Sequence, residues 1–124
     1  VNTQWTDDGL AEIKDIVSHN AAQYARAVLT LSDMCRRNGS TLVLVTFIDD
    51  LDGTLAGAVN IRYNLELRQI AATENLPLID LDTDFQDVPN KDAYFRDDHY
   101  HPNRQGAKYI AEKLSDGLVE ILAQ

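Results

Sequence analysis

Thr41-Leu42-Val43-Leu44-Val45-Thr46-Phe47-Ile48 is the stretch that decides the fold. It is apolar and β-branched at both odd and even positions, so neither side of a strand built from it suits water. Such a strand belongs inside a parallel sheet covered on both faces. Downstream, the polar, Gly-bearing residues 49–58 read as a loop leaving its carboxyl end. Ile61, Leu65, Ile70 and Ala72 then mark a helix over about 60–74, and Pro77-Leu78-Ile79-Asp80-Leu81 a short second strand. Residues 83–103 form a long polar loop bearing aromatic side chains. A last helix runs from 103 or 105 to about 122, with Ala107, Ile110, Ala111, Leu114, Leu118 and Ile121 on its buried face. Upstream, Thr6 before Asp7 and Asp8 is a hydroxyl cap followed by acids at a positive helix end. Leu10, Ile13, Val17, Tyr24, Val28, Leu31 and Cys35 continue that helix as one apolar stripe, with Ser18 and Asn20 as points of possible restart. Arg36-Arg37-Asn38-Gly39 stops it, with cations in the last turn and a glycine free to turn left-handed.

The order helix, strand, helix, strand, helix implies an α/β domain with a parallel sheet. Two strands are too few: both would be edges with unpaired backbone groups, and three long helices need more sheet to pack on. The strand count therefore calls for further strands from upstream or from another chain. At 124 residues the chain suits one domain. With 44% hydrophobic and 25% charged residues it reads as globular. A net charge of −9 argues against nucleic acid or an anionic membrane as partner. No apolar run has the length of a membrane span. One cysteine, Cys35, excludes an internal disulfide and, with only His19, His99 and His101, argues against a closed zinc site. Cys35 follows the apolar periodicity and is expected in the core, and His19 at the surface or as a cap. The opening Val1-Asn2-Thr3-Gln4-Trp5 has no initiator Met, so the expectation is a processed or truncated N-terminus, and the compartment is not legible.

Reactive groups in open α/β sheets gather beyond the carboxyl ends of the strands. Asp98 and His101 lie in the loop that follows the second strand. Two intervening residues let the carboxylate fold back onto imidazole Nδ1, which fixes the tautomer and leaves Nε2 to accept a proton from a hydroxyl. Pro102 suits the first turn of the following helix and biases His101 away from helical geometry. Gly106 lets the helix start approach another backbone closely. In isolation the same residues are also an ordinary polar helix entry.

Asp98-His99-Tyr100-His101-Pro102-Asn103, then Gly106 and an apolar helix, resembles the last conserved block of the SGNH/GDSL hydrolases. The helix into Gly39, the strand 41–48, and Tyr63-Asn64-Leu65 leading to Leu76-Pro77-Leu78-Ile79-Asp80 resemble the segments before that block. The resemblance implies a three-layer α/β/α, flavodoxin-like fold with a parallel sheet, of which residues 1–124 are the C-terminal portion of one domain with its N-terminal strands missing. It implies a serine ester hydrolase acting on a small acylated substrate, with Asp98 orienting and His101 as general base. Asn103 and Tyr100 are expected to shape the substrate site. No metal or cofactor is implied. The family's Gly-Asp-Ser nucleophile block and its oxyanion-hole segments are absent: the serines are Ser18, Ser32, Ser40 and Ser115, none in a strand-to-loop setting. The serine is then expected from an N-terminal segment, and that segment or a second copy of the chain would complete the sheet.

Other readings stay open. The alternative is a noncatalytic fragment or binding module of that fold. Asp50-Leu51-Asp52-Gly53-Thr54-Leu55 is similar to the first motif of haloacid-dehalogenase-like phosphatases, which implies Asp50 as nucleophile, Asp52 as acid/base and Mg²⁺ as cofactor. Asp and Gly are also favoured turn residues, so a solvated turn is the plainer reading. His99-x-His101 beside Asp97 and Asp98 has metal-ligand chemistry, but isolated pairs of this kind arise by chance. Trp5, Tyr94, Phe95 and Tyr100 either line a cleft or pin the long loop, and for Tyr94 and Phe95 the pinning role is preferred.

Overall fold

The computed structural model describes the backbone of residues 7–124 and the side chains from residue 11 onward. The expected cap at Thr6 and the roles of Trp5 and Leu10 fall outside the residues so described. Helix α1 (Asp7–Arg37) is followed by β1 (Leu44–Val45), α2 (Leu55–Glu74) and β2 (Leu78–Ile79). The short helix α3 (Leu81–Phe85), a 3₁₀ turn (Lys91–Tyr94) and α4 (Arg104–Leu122) complete the order.

Helix α1 runs unbroken through Ser18 and Asn20. It ends where Gly39 adopts φ +75° and Ser40 N–H reaches back 2.8 Å to the Cys35 carbonyl. Its buried line passes through Ala21, Tyr24, Ala25, Val28 and Ser32. Leu31, expected on that line, stands on its flank and is 48% exposed. Cys35 is half-buried at the end of the stripe.

Strand β1 is shorter than residues 41–48. A ladder needs a neighbour, and among the described residues β1 has only β2, which runs alongside for two residues in parallel register, Leu44 with Leu78 and Val45 with Ile79. Leu44 N–H donates to Pro77 and Thr46 N–H to Ile79, at 2.9 and 3.2 Å. Both faces are nonetheless covered. Leu44 packs with Leu67, Ile70 and Ala71 of α2, joined by Tyr24, Ala25 and Val28 of α1. Val43, Val45 and Ile79 pack on the other face with Leu81, Phe85 and Phe95, closed by Ile110 and Leu114 of α4. Leu67, almost fully buried, contributes about 2 kcal/mol as a core leucine does. At the end of β1 the buried Asn64 side chain stands in for a strand: its Oδ1 accepts from Phe47 N–H at 2.8 Å and its Nδ2 donates to Phe47 O at 3.0 Å.

Helix α2 starts at Leu55, five residues before the expected position, because Thr54 caps it. The Thr54 hydroxyl accepts from Gly57 N–H at 3.0 Å. A β-carbon on Gly57 would run into the Leu51 backbone, so the turn before the helix closes tightly over it. Residues 83–103 are also more ordered than a plain loop. Asp80 caps α3, and Phe85 sits edge-on to Tyr94, Phe95 and Tyr109 at 5.5–5.7 Å between ring centres. Tyr94 and Phe95 thus pin the loop. In α4, Ala107, Ala111 and Leu118 face solvent, against expectation. The packed seam runs through Gly106, Ile110, Leu114, Gly117 and Ile121. Glycines give no apolar signal, yet Gly106 lets the helix rest on the Tyr94 carbonyl and Gly117 on the Ile79 side chain, which turns the face toward them.

Candidate active site

The chain leaves β2, turns through α3 and the 3₁₀ helix, and returns across the carboxyl end of β1 before entering α4. Two backbone bridges shape this return: Arg96 N–H donates to His101 O at 2.8 Å, and Asn103 N–H to Tyr94 O at 3.0 Å. Pro102 lies two residues before α4, not in its first turn, and pairs with Phe95 in an isolated bridge. The cap itself is Asn103.

Within the turn, Asp98 closes on its own backbone. Its Oδ1 accepts from the N–H groups of Tyr100 and His101 at 3.0 and 2.9 Å, and its Oδ2 meets His101 Nδ1 at 2.5 Å. Three donors on one carboxylate favour the charged form. The His101 side chain foremost, then the two backbone N–H groups, hold the Asp98 carboxyl well below the usual carboxylate range. A carboxylate on Nδ1 places the imidazole proton there and makes Nε2 the acceptor. His101 lines a cavity of about 340 Å³ beyond β1, with Phe47, Ile48, Leu81, Pro102 and Ile110 as its apolar walls. The His101 side chain is 64% exposed, so its ring is open to solvent.

Tyr100 stands edge-on to the His101 ring, centroids 4.9 Å apart. It borders both the His101 cavity and a larger groove of about 690 Å³ walled by Leu51, Leu55, Ala56 and Val59. Asn103, expected to shape the substrate site, is occupied otherwise. Its Oδ1 accepts from Gly106 N–H, and its Nδ2 donates to Ala93 O and Phe95 O at 2.8 and 3.1 Å. Both amide hydrogens are spent on the chain, so the Asn103 side chain clamps the loop to the start of α4.

The Asp50–Thr54 stretch is built as a turn into α2. Asp49 Oδ1 accepts from Leu51 N–H, and its Oδ2 from the Asn60 amide at 2.7 Å. Asp52 is exposed, and Asp50 faces His99, with Oδ2 and Nδ1 3.3 Å apart. His99 and His101 therefore turn to different carboxylates, and among the described residues no group of three or more His, Cys, Asp or Glu side chains is placed to hold a metal. Among the described residues no serine lines the His101 cavity. Thr46 does, but its hydroxyl donates to Asp80 Oδ1 and accepts from Asp82 N–H, both at 2.9 Å.

That hydroxyl belongs to a network sequence reading missed. Arg68 of α2 grips Asp80 at the end of β2 through Nε (2.8 Å) and Nη2 (3.0 Å), and Nη2 also reaches Asp82 at 2.6 Å. Burial alone would raise the Asp80 carboxyl. Hydrogen bonds from Arg68, Thr83 and Thr46 outweigh it and hold Asp80 well below the usual range. The signal in the sequence was slight: an arginine on a helix twelve residues before an aspartate that ends a strand.

An imidazole steered by a carboxylate, beside a cavity at the carboxyl end of a parallel strand, is an arrangement for moving protons to and from a bound molecule. The chain belongs to the GDSL-like lipase/acylhydrolase family, whose model matches residues 3–109. Membership assigns it to hydrolase chemistry with an ester as the class of substrate. Searches of curated proteins and of solved structures find no match. Among the described residues no helix is long and apolar enough to cross a membrane.

Proposed function

We propose that this chain supplies the acid–base half of a serine ester hydrolase, with His101 as proton carrier and Asp98 as its orienting anion. The observation that carries the reading is the Asp98–His101 contact: Nδ1 engaged, Nε2 free, the ring beside a cavity. Nε2 takes the proton of a serine hydroxyl as its oxygen attacks the ester carbonyl carbon. The same proton then passes to the leaving alkoxide as the tetrahedral intermediate collapses to acyl-serine and alcohol. A water, deprotonated in its turn by Nε2, adds to the acyl-serine, and return of the proton to serine releases the acid. Asp98 remains anionic throughout the range in which histidines titrate and stabilises the imidazolium that forms.

The serine is proposed to come from a segment N-terminal to residue 1. Residues 1–124 are then the C-terminal portion of one three-layer α/β/α, flavodoxin-like domain, and the incoming strands would lie on the free side of β1. The β1 N–H groups that face β2 belong to Leu44 and Thr46, so those of Val43 and Val45 face the other way. Asn64 occupies Phe47 on that side. The neighbour would thus pair at Val43 and Val45 and part from β1 at Phe47, opening a crevice toward His101.

Two measurements test this. A fluorophosphonate probe should label the full-length polypeptide at one serine, leave residues 1–124 alone unlabelled, and fail to label full-length His101→Ala. Hydrolysis of p-nitrophenyl acetate by full-length protein should fall by roughly 10³-fold in His101→Ala. Equal rates would remove His101 from the chemistry.

A further inference from the structure

The Asp98–His101 pair is exposed, and little packing holds it. The turn that creates it, however, requires His99 to adopt φ +60°, a left-handed conformation that is strained for a residue other than glycine. Three contacts keep it there. His99 N–H donates to Arg96 O at 2.9 Å. The other two come from a single residue 49 positions away in sequence: Asp50 N–H donates to His99 O at 3.0 Å, and Asp50 Oδ2 lies 3.3 Å from His99 Nδ1. Asp50 stands in the turn leaving β1, tied down by Asp49, Thr54 and the start of α2.

We propose that Asp50 is a positioning residue for the Asp98–His101 pair, acting through His99. The backbone reversal at His99 aims the N–H groups of Tyr100 and His101 at Asp98 Oδ1, which in turn presents Oδ2 to Nδ1 of His101. If His99 relaxes to negative φ, the two N–H groups swing away and the imidazole loses its orienting partner. Asp50 thus transmits the position of the sheet to a turn that lies outside the core. This gives a role to the acidic turn 50–54 that needs neither phosphate nor metal. The catalytic meaning of the inference rests on His101 being the base; its structural content does not.

The experiment reads the His101 tautomer by NMR of the ¹⁵N-histidine-labelled chain above its titration, alongside kcat and KM of the full-length polypeptide. In the parent, Nδ1–H predominates at His101. Asp50→Ala should shift His101 toward the Nε2–H tautomer and lower kcat by roughly tenfold or more at unchanged KM. Asp50→Asn, nearly isosteric, gives the same direction and guards against a fold lost in the alanine variant, with circular dichroism as the check. His99→Asn keeps a residue that tolerates positive φ but removes the imidazole. It should produce the same shift, and adding Asp50→Ala should produce no further one. An unchanged tautomer in folded Asp50 variants, or additive effects in the double variant, overturns the proposal. A tautomer shift in Asp50→Ala combined with normal ester hydrolysis by His101→Ala would keep the positioning role and sink the hydrolase reading instead.

Discussion

Asp80 and Asp98 both end up as carboxylates far more acidic than a free aspartate, and they reach that state by opposite means. Asp80 is half-buried and saturated: a guanidinium, two hydroxyls and a backbone N–H fill its acceptor sites. Asp98 is at the surface and is satisfied from within its own turn by residues two and three positions ahead. The partners differ in consequence. Arg68 spends Nε and Nη2 on three side chains of one network. His101 spends one nitrogen and keeps the other. A saturated network fixes α2 to the end of β2, whereas a half-spent one leaves a group that can react.

The largest effect expected from this contrast is in activity. His101→Ala, which removes the roughly 10³-fold contribution argued above, should alter urea unfolding by no more than about 0.5 kcal/mol, because the side chain is exposed and packs on little. A larger stability loss would make the two networks alike. Arg68→Met should do the reverse, costing about 3 kcal/mol in the same unfolding measurement by leaving Asp80 and Asp82 without their cation. Asp80 also leaves its mark on the pH dependence of stability. Because Asp80 is more acidic folded than unfolded, its stabilisation is complete above about pH 4, given an ordinary value of 3.8, and is lost as pH falls below that. Arg68→Met should therefore flatten the decline of the urea midpoint on acidification, and an unchanged slope would take Asp80 out of the account.

Two smaller tests probe the clamp around the exposed pair. Gly106→Ala places a β-carbon into the Tyr94 carbonyl and should destabilise by about 2 kcal/mol, with a shifted Tyr94 ring environment in near-ultraviolet dichroism. Asn103→Ala removes the α4 cap and two loop bonds, and about 1 kcal/mol should be lost on thermal or urea unfolding. A neutral Asn103→Ala would mean that the aromatic cluster around Phe85 alone holds the loop.

What was legible in the sequence divides along the same line of local against distant. The Asp98–His101 turn is written within four residues, so its geometry could be anticipated. Residues 41–48 announced a strand covered on both faces because side-chain alternation is local. Its paired length was not legible, since a ladder ends where the neighbour departs. The Arg68 grip on Asp80 and the Asp50 contact to His99 join segments 12 and 49 residues apart, and no spacing rule connects them. The α4 face was misjudged because close packing at Gly106 and Gly117 comes from the lack of a side chain, which hydrophobic counting cannot register. The short helix α3 escaped notice for a related reason: its start is set by the Asp80 cap and its end by burial of Phe85, within a stretch whose composition reads as loop.

The Asn64 amide has one more consequence, for self-association. A strand edge with free N–H and C=O groups is a template on which other chains can add. By taking both polar groups of Phe47, Asn64 removes a rung from that template. Where no upstream strand pairs there, it leaves only the Val43–Val45 stretch, too short to hold a foreign strand without a supporting hydrophobic face. The same amide that finishes the strand for folding thus blunts it as a seed for aggregation.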